Sequence, residues 1–167
     1  MNDLLVMKFG GTSMGSAERI RASAELTAQQ HQRGPVVIVV SAMSKITDLL
    51  LDTLRKAEAG DQADVDANLH QLLMRHEETC RALLPADRQE AAIEGIRAIV
   101  QEFTRIAKGM MMLGERPPRS VDEAVATGER LAALLMAEHL ESRGIPAAAV
   151  NAAEVIATDA VLATLPP

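Results

Sequence analysis

Apolar residues along this chain fall into two kinds of run. Leu4-Leu5-Val6-Met7 is short and continuous, and Lys8 with the pair Gly10-Gly11 closes it. Continuous apolarity of that length, bounded by glycine, predicts a strand buried on both faces. Val36-Val37-Ile38-Val39-Val40 is a second such run. Its unbroken β-branched residues predict a central parallel strand with helices on both sides. The other runs are periodic. Ser16 to Gln32 carries Ala17, Ile20, Ala24 and Leu26 at helical spacing, and Gly34-Pro35 stops it. The opening segment is therefore strand, glycine loop, helix, strand, a βαβ unit with a right-handed crossover.

Beyond the second strand the periodicity becomes helical and long. One helix is predicted from about Thr47 to Ala59, ending at Gly60-Asp61. A second carries Leu69, Leu72, Leu73, His76, Cys80 and Leu83. A third carries Ile93, Ile96, Ile99, Val100, Phe103, Ile106, Met110 and Leu113. Pro85 separates these two, which form a helical hairpin inserted beside the sheet, and Asp87 with Glu90 is a candidate capping box. After the break at Gly114 to Pro118, Ser120 and Glu123 are a second candidate box. They open a helix that runs to Arg143, kinks at Gly128 and is capped by Gly144. Pro146 to Val150 is a third strand candidate, and Glu154 to Ala157 a fourth. Strands alternating with helices predict an α/β three-layer sandwich with a mostly parallel sheet.

Composition narrows the function classes. The 167 residues include Phe9 and Phe103 as the only aromatics, so Leu, Ile, Val, Ala and Met must build the core, and base-stacking platforms are excluded. A net charge of −6, with no long basic block, argues against nucleic acid. No apolar stretch approaches the roughly 20 residues of a membrane span, and the start shows no basic leader. Cys80 is the one cysteine, which fits a reducing, cytoplasmic setting. The four histidines show no ligand spacing with it, so surface or packing roles are expected. Glu77, Glu78 and Glu138 read as solvated helix faces.

Ligands of an open parallel sheet bind beyond the carboxyl ends of its strands. Lys8-Phe9-Gly10-Gly11-Thr12-Ser13 falls at the first such end, Ser41 to Asp48 at the second and Asn151 at the third. Gly10-Gly11 lets backbone N–H groups approach an anion, Lys8 adds a full charge, and helix starts after Ser13 and Ser44 add partial positive charge. A phosphate or a carboxylate would suit that loop. Its spacing matches neither the dinucleotide fingerprint nor the P-loop. A plain tight βα turn remains the alternative.

These residues also carry a resemblance. Lys8 to Ser13 after a short apolar strand resembles the opening motif of aspartate kinases, in the amino acid kinase family. Val40-Ser41-Ala42-Met43-Ser44 with Thr47-Asp48-Leu49-Leu50 looks like the second motif of that family. Thr127-Gly128-Glu129-Arg130-Leu131 looks like its Gly-Glu motif, and Thr158-Asp159 like the pair after the next strand. The resemblance implies MgATP-dependent phosphorylation of the L-aspartate side-chain carboxylate to 4-phospho-L-aspartate, the entry to lysine, threonine and methionine synthesis. By the same resemblance Lys8 would be catalytic and would contact the transferring phosphoryl group. Gly10, Gly11, Thr12 and Ser13 would bind phosphate, Ser41 and Thr47 would hold aspartate, and Glu129 would bind its ammonium. No protein ligand for a metal is implied. An acid in the first turn of a helix is favoured anyway, so Glu129 rises above that only through the motif.

The resemblance also has departures. Lys45 stands where many family members carry glycine, and Ala160-Val161 stands where the family has a Phe-Gly or similar pair. The later Arg and Asp motif, the nucleotide-binding half and the ACT domains have no counterpart within residues 1–167. The expectation is a partial amino acid kinase domain, its substrate-binding half, without kinase activity alone and homo-oligomeric in its parent. The alternatives are a non-catalytic aspartate- or anion-binding module, a subunit pairing with a separate nucleotide-binding chain, or a family member acting on another acid or on UMP.

Overall fold

Strands β1 (Leu5–Phe9) and β2 (Val36–Val40) pair in parallel, with Leu5 opposite Val36 and Phe9 opposite Val40. They are the two strands of the sheet among the described residues of the computed structural model, which are residues 4–156. Helix α1 (Ala17–His31) makes the crossover, and Ser16 caps it by accepting the Arg19 N–H. β1 extends two residues past the apolar run, through Lys8 and Phe9, because Phe9 still pairs with Val40 and turns into the core.

The helical block follows the predicted order through α2 (Ile46–Glu58), α3 (Gln62–Leu83), α4 (Ala86–Leu113) and the pair α5 (Pro118–Val125) and α6 (Thr127–Ser142), and a short α7 (Ala152–Val155) comes after it. The α3–α4 hairpin packs along α2, and α6 lies against α4 and α1. Leu50, Leu54, Leu72, Ile96, Phe103, Leu131 and Leu135 form the centre of one core. Neither predicted capping box forms. Pro85 and Pro117 occupy the caps of α4 and α5, and their fixed φ suits them to helix entry. The expected kink lies two residues early, at Ala126, which separates α5 from α6. Gly144, at φ 76, ends α6 as expected, with Ile145 N–H returning to the Leu140 carbonyl.

Three expectations are corrected. Pro146 to Val150 is not a strand, since Pro146 has no N–H to give and the Ala147 N–H goes to Glu141 Oε1 at 2.7 Å. The segment instead walls a cavity of about 310 Å³ between α1, β2 and α6. The next segment is the helix α7, because the Asn151 side chain accepts the Ala153 N–H and starts a turn; Ala157 lies outside the described residues. The sheet is covered on one face. Phe9 is buried there and Met7, Ile38 and Val40 pack against the core, whereas Val6, Val37 and Val39 on the other face are 59%, 45% and 48% exposed.

Glu77 also departs from expectation. It is buried, and its carboxylate joins Arg81 at 2.7 Å to Arg97 at 2.9 Å across the α3–α4 hairpin. Glu78 is exposed as expected. His76 and His139 are buried and His70 is exposed, in line with packing and surface roles.

Candidate active site

The carboxyl ends of the two strands open side by side. Lys8 is the penultimate residue of β1, and its side chain is exposed. Lys8 Nζ lies 3.5 Å from the point where a Cβ on Gly10 would sit, so the ammonium folds back over the glycine turn. Gly10 to Ser16 is a turn segment, and α1 begins at Ala17, with Ser16, the first residue of the expected helix, as its cap. Met14, fully buried, fastens this turn to the core, and its N–H donates to the Gly10 carbonyl at 3.1 Å.

The segment after β2 runs against this turn. Ser41 N–H donates to the Phe9 carbonyl at 3.0 Å, continuing the ladder, and Ser44 Oγ donates to the Gly11 carbonyl at 2.9 Å. α2 then starts at Ile46, which places half-buried Thr47 in its first turn. Lys45 enters the helix at φ 66, the one positive-φ residue other than glycine among the described residues. That left-handed conformation is what a glycine would adopt freely.

Glu129 completes the cluster from a distant part of the chain. It sits in the first turn of α6, and its Oε1 accepts the Ala42 N–H at 3.3 Å across 87 positions of sequence. Its Oε2 is buried and has no hydrogen-bond partner among the described residues. A buried, unsatisfied carboxylate oxygen costs free energy unless something donates to it. Gly128 allows the approach. A Cβ on it would lie 2.7 Å from Ala42 Cβ and 3.2 Å from Ile46 Cγ2. The fold thus unites the glycine turn, the Ser41–Thr47 segment and Glu129. Thr158 and Asp159 lie outside the described residues.

Sequence reasoning passed over several contributors. Arg19 Nη1 donates to the Thr12 carbonyl at 2.8 Å, and Ser23 Oγ to the Ser13 carbonyl at 3.2 Å. Ser44 was visible as a helix start and as the end of the second motif, but its bond to Gly11 was not. The one signal in the sequence is Gly15, an isolated glycine just before the α1 cap, where a Cβ would lie 2.7 Å from Ser44 Oγ.

The family model for amino acid kinases matches residues 3–164. This chain belongs to the amino acid kinase family. Among family members, aspartokinase 3 from Arabidopsis thaliana chloroplasts is 35% identical over 158 residues, which are 92% of this chain and 27% of that protein. The chloroplastic bifunctional aspartokinase/homoserine dehydrogenase 2 of the same plant is 30% identical over 140 residues, covering 84% of this chain and 15% of the relative. The crystal structure of Escherichia coli aspartokinase III in complex with aspartate and ADP superposes with a TM-score of 0.73 at 25% identity. That match covers 85% of this chain and 30% of that one. Matched to its curated relatives, this amino acid kinase chain spans between 15% and 28% of their length.

Proposed function

We propose that this chain is the substrate-binding part of an aspartate kinase, in which ATP phosphorylates the side-chain carboxylate of L-aspartate to give 4-phospho-L-aspartate. The observation that carries the reading is Glu129, held by the Ala42 N–H with its second oxygen buried and unsatisfied among the described residues. An ammonium group is the donor that suits such an oxygen, and the substrate has one. Ser41 and Thr47, on the adjoining segment, are hydroxyl donors for its carboxylates. Gly10, Gly11, Thr12 and Ser13 offer backbone N–H groups to the phosphoryl group, and Lys8 folds over the same turn with its charge.

The chemistry asks little more of this half. The attacking carboxylate ionises at about pH 3.9 and needs no general base near neutrality. Rate then depends on alignment and on neutralising charge spread over the transferred group. Lys8 is the catalytic residue in this reading, because its ammonium would meet that charge as it shifts. Mg²⁺ would enter with ATP. Among the described residues no group of three or more His, Cys, Asp and Glu side chains could hold a metal. The reading also makes the whole enzyme a cytoplasmic homo-oligomer whose nucleotide site lies mainly outside residues 1–167. No helix among the described residues is long and apolar enough to cross a membrane.

Isothermal titration of the purified chain with L-aspartate tests the reading. Binding is expected, with a loss of about tenfold or more in Glu129→Gln, since a charge-assisted bond to a buried group is removed. D-aspartate and succinate, which misplace or lack the ammonium, are expected to bind as weakly to the wild type as L-aspartate does to the variant. Absence of any L-aspartate heat in the wild type would sink the assignment.

A further inference from the structure

The glycine turn is held by its carbonyl groups, and this decides where its N–H groups point. Four consecutive carbonyls of the turn each accept a hydrogen bond. Gly10 O accepts the Met14 N–H at 3.1 Å, Gly11 O accepts Ser44 Oγ at 2.9 Å, Thr12 O accepts Arg19 Nη1 at 2.8 Å and, more weakly, the Gly15 N–H at 3.3 Å, and Ser13 O accepts Ser23 Oγ at 3.2 Å. In a planar trans peptide the N–H of the next residue points opposite to the carbonyl. Fixing the carbonyls of Gly10, Gly11 and Thr12 therefore turns the N–H groups of Gly11, Thr12 and Ser13 to the other side. There they meet no acceptor among the described residues. Successive unpaired N–H groups of a turn are the material of an anion-binding concavity.

We propose that Arg19 and Ser44 are positioning residues of this anion turn: neither touches the anion, and together they hold the Thr12 and Gly11 carbonyls away from it. Arg19 reaches from the first turn of α1 and Ser44 from the segment ahead of α2, so each element that flanks the turn supplies one clamp. Gly15 belongs to the same device. A Cβ on it would lie 2.7 Å from Ser44 Oγ and 3.3 Å from the carbonyl oxygens of Gly11 and Thr12, which would displace the hydroxyl from its bond. The inference rests on the aspartate kinase reading for the nature of the anion, a phosphoryl group. It does not rest on that reading for the geometry.

The test uses the ¹⁵N-labelled 167-residue chain, with backbone relaxation measured without ligand and then amide shifts during titration with inorganic phosphate. In the wild type, Gly10 to Ser13 are expected to be as ordered as their flanking elements and to shift with phosphate. Arg19→Ala and Ser44→Ala are each expected to loosen Gly11 to Ser13 on the nanosecond scale and to weaken phosphate about five- to tenfold. Arg19 is exposed, so its loss should leave the unfolding midpoint nearly unchanged. Arg19→Lys, which keeps one donor for a carbonyl, is expected to recover most of the affinity; a merely structural role for Arg19 would show no such rescue. Gly15→Ala combined with Ser44→Ala should be no weaker than the weaker single variant, because both remove one bond. Unchanged relaxation and affinity in Arg19→Ala and Ser44→Ala, with a wild type that binds phosphate, overturns this inference and leaves the proposed function standing. A wild type whose turn amides ignore phosphate overturns the phosphoryl reading, and the positioning role falls with it.

Discussion

Lys45 is the residue at which backbone and side chain disagree most. At φ 66 and ψ 3 its Cβ crowds its own peptide, a conformation that costs a branched backbone roughly 1–2 kcal/mol and costs glycine almost nothing. Lys45→Gly is therefore expected to raise stability by about 0.5–1 kcal/mol, the gain being trimmed by glycine's greater freedom in the unfolded chain. A urea midpoint that falls in this variant would show that the turn is not strained. Gly128 is the opposite case, since a methyl group there meets Ala42 Cβ at 2.7 Å, with Ile46 and Leu50 just behind. Gly128→Ala should cost about 1–3 kcal/mol by overpacking and weaken aspartate through the displaced Glu129. Ala42→Gly in the same chain should restore much of both, read by thermal unfolding and titration. Lys8, Ser41, Ser44 and Glu129 were singled out by short local strings, and the fold sets those strings side by side. The bonds that Arg19, Ser23 and Ser44 make were not readable, since their targets are backbone carbonyls brought near by folding, and a carbonyl has no signature in a sequence. The free Oε2 of Glu129 was equally invisible, because burial from 87 positions away created it.

At the scale of elements, the α3–α4 hairpin shows what periodicity can and cannot announce. Its apolar stripe was readable from Leu72 to Met110, because every helical turn contributes to it. Glu77 was misread, because a lone acid on a stripe edge looks solvated until Arg97 arrives from the other helix. Burial pushes its carboxyl pKa upward, and hydrogen bonds from Arg81 and Arg97 outweigh this, leaving it below the ordinary value. Its stabilising share is thus present above the unfolded carboxylate range and fades as pH falls. Glu77→Gln should cost about 1–3 kcal/mol at neutral pH, and less at pH 4 than at pH 7 in urea melts. The third strand failed for a different reason. Alanine and valine fit a strand or a coil equally well, and a carboxylate on α6 settles the matter by taking the Ala147 N–H. His76 adds a pH dependence within α3. Its Nδ1 meets the Leu72 carbonyl at 2.7 Å and so carries the proton, leaving Nε2 buried without a partner among the described residues. Burial lowers its pKa from 6.5 to about 4. The unfolded chain then takes up a proton that the folded chain refuses, and stability falls with decreasing pH through that window. The slope is up to about 1.4 kcal/mol per pH unit. His139, lowered mainly by burial, acts in the same direction. Urea midpoints from pH 7 to 4 should drop less steeply in His76→Gln than in the wild type, and parallel curves would refute the assignment.

The sheet links the site to the whole molecule. Parallel register sets Val6 beside Val37 and Lys8 beside Val39, and strand alternation puts these four on the face that no helix covers among the described residues. The covered face follows from α1 and α6, which bury Phe9 and pack on Met7, Ile38 and Val40. Three exposed valines in a row are sequence written for burial on both faces, which is why the β-branched run predicted a central strand. The chain spans 27% of aspartokinase 3 and 15% of the bifunctional enzyme it was matched to. Lys8 lies on the same exposed face as the three valines. Covering the valines would take water away from the Lys8 ammonium and strengthen its attraction for a phosphoryl group, because charges interact more strongly in a drier surrounding. The isolated chain should accordingly show two linked properties: a reactive apolar surface and no aspartate-dependent release of ADP from MgATP. The first is directly measurable. An exposed apolar patch binds the dye ANS, so the folded 167-residue chain is expected to enhance its fluorescence. The double variant Val37→Thr, Val39→Thr should remove most of that signal while shifting stability by no more than about 0.5 kcal/mol per site, as exposed positions allow. Fluorescence that persists in the double variant would place the apolar surface elsewhere, at Met112 and Leu113 on the end of α4, which are 86% and 72% exposed. A large loss of stability would instead mean that the two valines are buried in solution by self-association, which light scattering at two concentrations detects.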